Sequence, residues 1–454
     1  MKKTVIIIIL FAAILFPQSV RSKIDKLLND KFFETCTISI SVEDISAGKN
    51  IYRKNEKLLL KPASNMKVLT SAAGLLFLGP DYLFSTDIYY DGFTKNDTLF
   101  GDIYIVGGCD PGFKTSDLNN FITALKSLDI TVINGNLYGD VSFKDSLYWG
   151  KGWMWDDDPS PDAPYLSALN INDNCVRVEY NSKEKKYNID PATNYVNVKR
   201  IESEDELIID RDWFNRKNEI LIKGKDDAKD YLSKINVLEP AKYFLQVFSE
   251  MLDSNQIRIT GNKEIKTLNK QAVLLASVYR KFSDVVVDLN KESNNLSAEM
   301  TLLALSEKYY GKPAGIEKGI KLVQQMIDES GFNSKDYRIV DGSGVSHYNL
   351  VSTGLLAGLL KYLYNKNNQV FEILYNSFPI GGIDGTLENR MTDKKIRNNV
   401  HAKTGTLSGV SSLTGYLTNA RGHIIAFSII MQNYIGTSSF ARQIQDEICK
   451  ILSE

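Results

Sequence analysis

Apolar and polar residues alternate from Cys36 to Glu43 (C-T-I-S-I-S-V-E), the period of a half-buried strand. Turn residues fill Asp44 to Asn50, and Ile51-Tyr52-Arg53 resumes the extended pattern, so the two read as a hairpin. After Lys61-Pro62-Ala63 an apolar run predicts a helix from Ser64 to Phe77, stopped by Gly79-Pro80. From Phe84 to Leu274 the texture changes. Short β-type runs recur at Thr98 to Val106, Thr131 to Tyr138, Val176 to Tyr180, Tyr195 to Ile201 and Glu219 to Ile222, separated by turns and charges. One helix is expected there, Glu239 to Leu252, with Pro240 in its first turn. Helical spacing then returns at Leu296 to Leu305, Ala314 to Glu329 and Thr353 to Tyr364. Gly409 to Thr418 and His423 to Gln432 read as two buried strands around the turn Asn419-Ala420-Arg421-Gly422. An amphipathic helix, Phe440 to Leu452, follows.

A chain of 454 residues is long for one core, so two or three domains are expected. The 54 basic and 55 acidic residues nearly cancel, and no basic block points to nucleic acid. Lys2 and Lys3 precede an apolar run from Val5 to Phe16, too short for a comfortable membrane span. This is the pattern of an export leader, residues 1–22, cut after Ser22. No second apolar stretch is long enough to span a bilayer, so no stable transmembrane anchor is expected. The mature chain should be periplasmic or otherwise extracytoplasmic. Cys36, Cys109, Cys175 and Cys449 are too widely and irregularly spaced for a zinc site. Buried free thiols are the expected reading for a domain with its own core. No metal or other cofactor is implied.

Three short motifs carry the chemistry: Ser64-Asn65-Met66-Lys67, Ser293-Asn294-Asn295 and Lys403-Thr404-Gly405-Thr406. Ser64 and Lys67, three residues apart at a helix start, share one face. The helix N-terminus favours negative charge on the serine oxygen and opposes a second positive charge on the lysine. That suits a serine nucleophile with a neutral lysine base. Ser46-Ala47-Gly48-Lys49 and Ser182-Lys183-Glu184-Lys185 have the same spacing but open no apolar helix, and they receive no role. Ser293 supplies a hydroxyl to relay a proton, and Asn295 an amide to hold a carbonyl or the lysine. The simpler use of Ser64, Ser293 and their asparagine neighbours is helix capping. Lys403 offers a cation and Thr404 and Thr406 hydroxyl donors, while Gly405 permits close backbone approach. Together they would suit a substrate ending in a carboxylate. His347, His401 and His423 are the only histidines, and no G-x-S-x-G elbow accompanies them.

With these motifs in place the chain resembles the class C low-molecular-mass penicillin-binding proteins, the D-alanyl-D-alanine carboxypeptidases/endopeptidases of the DacB type. The resemblance extends to Leu99–Gly112 (L-F-G-D-I-Y-I-V-G-G-C-D-P-G), where Cys109 replaces a usual glycine, and to Gly152–Asn172. Asp341–Asn349 (D-G-S-G-V-S-H-Y-N) and Gly381–Leu387 (G-G-I-D-G-T-L) also fit. S-N-N in place of S-D-N changes only the residue between the two functional ones. The resemblance implies an α/β multidomain chain. A transpeptidase-like (serine β-lactamase-like) catalytic domain, 23–84 and 275–454, would enclose a β-rich inserted domain, 85–174 and 235–274, with a second, 175–234, nested in it. It implies Ser64 as acylated nucleophile, Lys67 as base and Ser293 as proton relay. Asn295, Lys403, Thr404, Gly405 and Thr406 would bind substrate, with the Ser64 and Thr406 N–H groups as oxyanion hole. The expected ligands are peptidoglycan stem peptides and, as covalent inhibitors, β-lactams. Two alternatives keep the same motifs: a serine β-lactamase or esterase on this fold, and a catalytically weak wall-binding protein. The long insertion between Lys67 and Ser293 argues against the first, the intact motifs against the second.

Overall fold

The computed structural model describes residues 19–181, 183–225 and 231–454. Most of the leader expected at 1–22, and Ser182 of the third S-x-x-K, lie outside the described residues. The helix Val20–Leu27 runs through the expected cleavage point.

A five-stranded antiparallel sheet organises the two ends of the chain. Its order is His401–Leu407, Val410–Thr418, Ile424–Gln432, Thr37–Asp44, Lys49–Lys54. Thr37–Asp44 pairs over its whole length with Ile424–Gln432, so the predicted hairpin is stitched to the far end of the sequence. The central strands are buried on both faces, which explains their nearly unbroken apolar runs. Ile425, Phe427, Ile429 and Met431 face a core shared with the helices Val20–Leu27 and Ser439–Leu452. Ala426 and Ile430 face the opposite, larger core, built on the helices Met66–Phe77, Asn295–Tyr310, Ile316–Glu329 and Thr353–Lys366. Met66–Phe77 is buried nearly all round, so its hydrophobicity is continuous rather than striped.

Two paired strands, Leu83–Lys95 and Val273–Lys281, lead into and out of the middle region. They belong to a seven-stranded sheet whose core is closed by the helices Leu118–Lys126 and Pro240–Ser254. The β pattern of this region hides the first of those helices. The run read as Thr131 to Tyr138 is two strands, Val132–Asn134 and Leu137–Asp140, parted where Asn136 is held by the Asp102 carboxylate. Beyond it lie two three-stranded sheets. One sets Cys175–Asn181 between Lys186–Asp190 and Tyr231–Asn236. The other sets Glu219–Lys223 between Asn197–Ile201 and Ile208–Arg211. All four cysteines are free and buried. No helix among the described residues is long and apolar enough to cross a membrane.

Candidate active site

Ser64 does not open the α-helix. It lies in a single 3₁₀ turn, Ala63–Asn65, directly before it. The Ser64 side chain caps nothing, and Ala63 is held at φ 47°, a left-handed conformation for a buried non-glycine residue. Three contacts fix this turn against the sheet. Ser412 Oγ donates to the Pro62 carbonyl at 2.6 Å. The Asn65 amide, oriented to satisfy both its groups, donates to the Lys403 carbonyl at 2.8 Å and accepts from Thr414. Gly405 completes the fit: a Cβ there would stand 2.8 Å from the Ser64 amide nitrogen and 3.0 Å from the Pro62 oxygen. The close approach this glycine allows is thus between its own strand and the nucleophile turn.

Lys67 Nζ lies 2.9 Å from Ser64 Oγ. It also donates to Asn295 Oδ1 and, at 2.8 Å, to the Ser343 carbonyl. Its side chain has no solvent exposure. Burial brings the ammonium down to about 8, although the carboxylates of Asp341, Asp162 and Glu299 pull the other way. Asn295 is anchored in turn, its Nδ2 donating to the Asp162 carbonyl at 2.5 Å. Its neighbour Asn294 caps the helix by accepting from Ser297 N at 2.9 Å. Capping therefore falls to the middle residue of S-N-N and leaves the outer two free for the site. Ser293 sits at φ 59° on the cavity wall.

A 550 Å³ cavity opens over Ser64. Ser64, Ser293, Asn295, Thr404, Gly405 and Thr406 line it, so one cleft joins all three motifs. Lys67 and Lys403 lie behind this lining. Lys403 is fully buried, donates to its neighbour's carbonyl (Thr404 O, 3.0 Å), and is held well below the usual lysine range by burial and by the charge of Lys67. The cations that line the cavity are Arg390 and Arg442, and Arg442 Nη2 donates to Thr406 Oγ1 at 3.2 Å. Sequence reasoning missed both, since an arginine in a loop and one on a surface helix carry no motif. None of the three histidines lines the cavity. His401 stacks on Tyr375, His423 pairs with Asp44, and His347 meets Lys61.

The wall that holds Lys67 is built by stretches the motifs left unexplained. Asp341 is the hub of the Asp341–Asn349 loop. It accepts from Gly344 N (2.9 Å), Ser346 N (2.6 Å), Asn349 Nδ2 (2.6 Å) and the indole of Trp153 (2.9 Å). Buried Glu299 accepts from the amides of Gly342 and Ser343, and burial with nearby Asp341 raises its carboxyl above the usual carboxylate range. Gly344, at φ 88°, lets this loop touch the nucleophile turn: a Cβ there would lie 1.9 Å from the Ala63 carbonyl. On the opposite wall Thr404 Oγ1 donates to Thr386 Oγ1 at 2.7 Å, which brings Gly381–Leu387 to the cleft.

A buried lysine touching a serine, with no histidine in reach, is an arrangement suited to serine acyl transfer. The D-Ala-D-Ala carboxypeptidase 3 (S13) family matches residues 20–454. The chain belongs to that family. It is a serine peptidase of the carboxypeptidase type on a penicillin-binding-protein fold. The D-alanyl-D-alanine carboxypeptidase of Actinomadura sp. is 28% identical over 462 residues, covering 96% of this chain and 84% of that one. The D-alanyl-D-alanine carboxypeptidase DacB of Haemophilus influenzae is 27% identical over 421 residues, covering 90% and 88%. The crystal structure of penicillin binding protein 4 (dacB) from H. influenzae superposes with a TM-score of 0.85 at 25% identity, over 95% of this chain and 99% of that one. The same protein complexed with a novel β-lactam gives 0.80. Within this S13 peptidase, three of the stretches read as family-like, Gly152–Asn172, Asp341–Asn349 and Gly381–Leu387, reach the walls around Ser64 and Lys67, whereas Leu99–Gly112 lies mostly in the seven-stranded sheet.

Proposed function

We propose that this peptidase removes the terminal D-alanine from peptidoglycan stem peptides and opens D-amino-acid cross-links, through an acyl-enzyme on Ser64 that β-lactams also form. The observation that carries this reading is Ser64 Oγ held 2.9 Å from a buried lysine whose charge is destabilised, on the floor of a cleft wide enough for a peptide. In the first half-reaction neutral Lys67 takes the Ser64 hydroxyl proton while Oγ bonds to the scissile carbonyl carbon. The oxyanion lies against the N–H groups of Ser64 and Thr406. Collapse breaks the C–N bond, and the leaving amine takes a proton through Ser293. Asn295 holds Lys67 and the substrate's amide. Water then attacks the ester, with Lys67 again as base, and releases Ser64 and a shortened peptide. Thr404, Gly405 and Thr406 seat the terminal carboxylate, and Lys403 supports it from behind. Arg442, beside Thr406, adds the exposed charge. An anion bound here would restore the Lys403 ammonium that burial suppresses.

The domain partition read from the sequence belongs to this reading, as does action outside the cytoplasm, supported by the leader pattern at residues 1–22. The relatives' names support the substrate class. Incubation with penicillin, intact mass and peptide mapping test it. One adduct on Ser64 is expected, lost in Ser64→Ala together with hydrolysis of a D-Ala-D-Ala peptide. An adduct on another serine, or none, overturns it.

A further inference from the structure

A second cleft, of 390 Å³, lies beside the catalytic one. Its lining is aromatic: Tyr148, Trp149, Trp155, Tyr165, Trp213 and Phe214. The remaining residues are Asp158 and Arg216, so no aliphatic side chain takes part. The chain has only 4 tryptophans, and Trp149, Trp155 and Trp213 all line this cleft. The fourth, Trp153, packs edge-on against Trp149. Burial does not explain the rings: Phe214 is 76% exposed, Trp155 66% and Tyr148 52%. Large exposed aromatic patches mark binding surfaces.

The two walls come from different parts of the chain and are locked together. Tyr148 to Tyr165 form one. Trp213, Phe214 and Arg216 form the other, on the loop between the strands Ile208–Arg211 and Glu219–Lys223. At the base Asp158 pairs with the fully buried Arg211 and accepts from the Tyr165 hydroxyl at 2.9 Å. Asp212 pins the loop by accepting twice from Asn215 Nδ2, at 2.9 and 3.1 Å. Trp155 and Trp213 then meet across the gap at 4.8 Å between ring centroids, and the Arg216 guanidinium lies over the Tyr148 ring. The cleft also neighbours the active site. Asp157 lines the catalytic cavity and the next residue, Asp158, lines this one.

We propose that this cleft binds the glycan strand that carries the stem peptide, a polymer of N-acetylated amino sugars. This rests on the peptidoglycan reading above. A pyranose ring presents a face of C–H bonds that packs on an aromatic ring, and an edge of hydroxyl and acetamido groups that needs polar partners. Exposed rings with the Arg216 guanidinium at the rim meet both needs, whereas a groove for a protein helix would present aliphatic side chains. Position agrees: the peptide enters one cavity and its sugar carrier the adjoining one. The nested segment from Cys175 to Asn236 thereby acquires a task, since it supplies one wall.

The test uses the full chain and two variants away from Ser64, Trp213→Ala and Phe214→Ala. The probe is a peptide-free oligosaccharide of alternating N-acetylglucosamine and N-acetylmuramic acid, titrated against tryptophan fluorescence. Saturable quenching is expected, weakened about tenfold by each substitution, the scale of one lost ring contact. In hydrolysis, the wild type should prefer a glycan-linked peptide over the same free peptide. Phe214→Ala should lose that preference while cleaving the free peptide as before. No glycan binding by the wild type, or equal binding by both variants, overturns the inference. So does loss of self-association in Phe214→Ala without any glycan effect, which would make the cleft a protein contact. Failure of the wild type to cleave the free peptide would instead strike the peptidase reading, which the fluorescence arm does not depend on.

Discussion

At the scale of single residues, burial sets what Lys67 can do. An ammonium brought down to about 8 is neutral in about a tenth of molecules at pH 7, some 300-fold more than for an ordinary lysine, by roughly 2.5 units of difference. Because the base acts only when unprotonated, acylation by penicillin should rise about tenfold per pH unit up to about 8 and then level. Stopped-flow rates between pH 6 and 9.5 check this, and a profile flat through 8 would exclude Lys67 as the group that titrates. Lys67→Arg cannot shed its proton and should acylate at least about a hundredfold more slowly. Arg442 makes a different prediction. Arg442→Ala should reduce kcat/KM for a free-acid D-Ala-D-Ala peptide about tenfold or more, the scale of one charge-assisted hydrogen bond. It should hardly change the rate for the C-terminally amidated peptide. Equal losses on both would place the arginine outside carboxylate recognition. That the three motifs meet in one cleft was legible because their residue types, spacing and order stand out in the sequence. Arg390 and Arg442 were not, because a lining cation is defined by where a helix happens to pass.

Among elements, the nucleophile turn shows what periodicity can and cannot convey. The apolar run from Met66 announces a buried helix, and the boundary is right within two residues. The separate 3₁₀ turn that presents Ser64 is invisible to that pattern, since it depends on Ser412 and Gly405 of two distant strands and on Asn65 of the turn reaching across to the Lys403 carbonyl. The strands Val410–Thr418 and Ile424–Gln432 were readable for the opposite reason: burial on both faces makes them apolar throughout. The grip predicts that Gly405→Ala is far more harmful than its size implies. Its methyl would press on the Ser64 amide and on Ser412 Oγ. Displacing the nucleophile by a fraction of an ångström should slow penicillin acylation about a hundredfold. The far-ultraviolet circular dichroism should remain that of the parent. Normal acylation by this variant would mean that the turn is not held in this way.

Over the whole molecule, the sequence reads clearly where each segment meets its own local pattern and poorly where distant modules meet. The change of texture at Phe84 and Leu274 falls within the paired strands Leu83–Lys95 and Val273–Lys281. Nothing in either segment foretells that Arg211 will be buried against Asp158, 53 positions away. That pair ties the segment around Arg211 to the loops beside the active site. Removing one member leaves a buried charge alone, so Asp158→Ala should cost about 3–5 kcal/mol. Urea unfolding followed by tryptophan emission reports it directly, because the indoles cluster around the pair. An unchanged midpoint would show that the two modules are joined by other contacts.

The pairing of Thr37–Asp44 with Ile424–Gln432 also governs timing. A ribosome makes Ser64 more than three hundred residues before the strand that grips its turn, His401–Leu407. Contacts this distant in sequence form late. The middle region, with its own core, is free to fold first as a unit. Until the last strands dock, Ser64 is an ordinary alcohol beside a solvated amine. The surroundings of Ser64 are therefore completed only once the strands from His401 to Gln432 have been made and have docked.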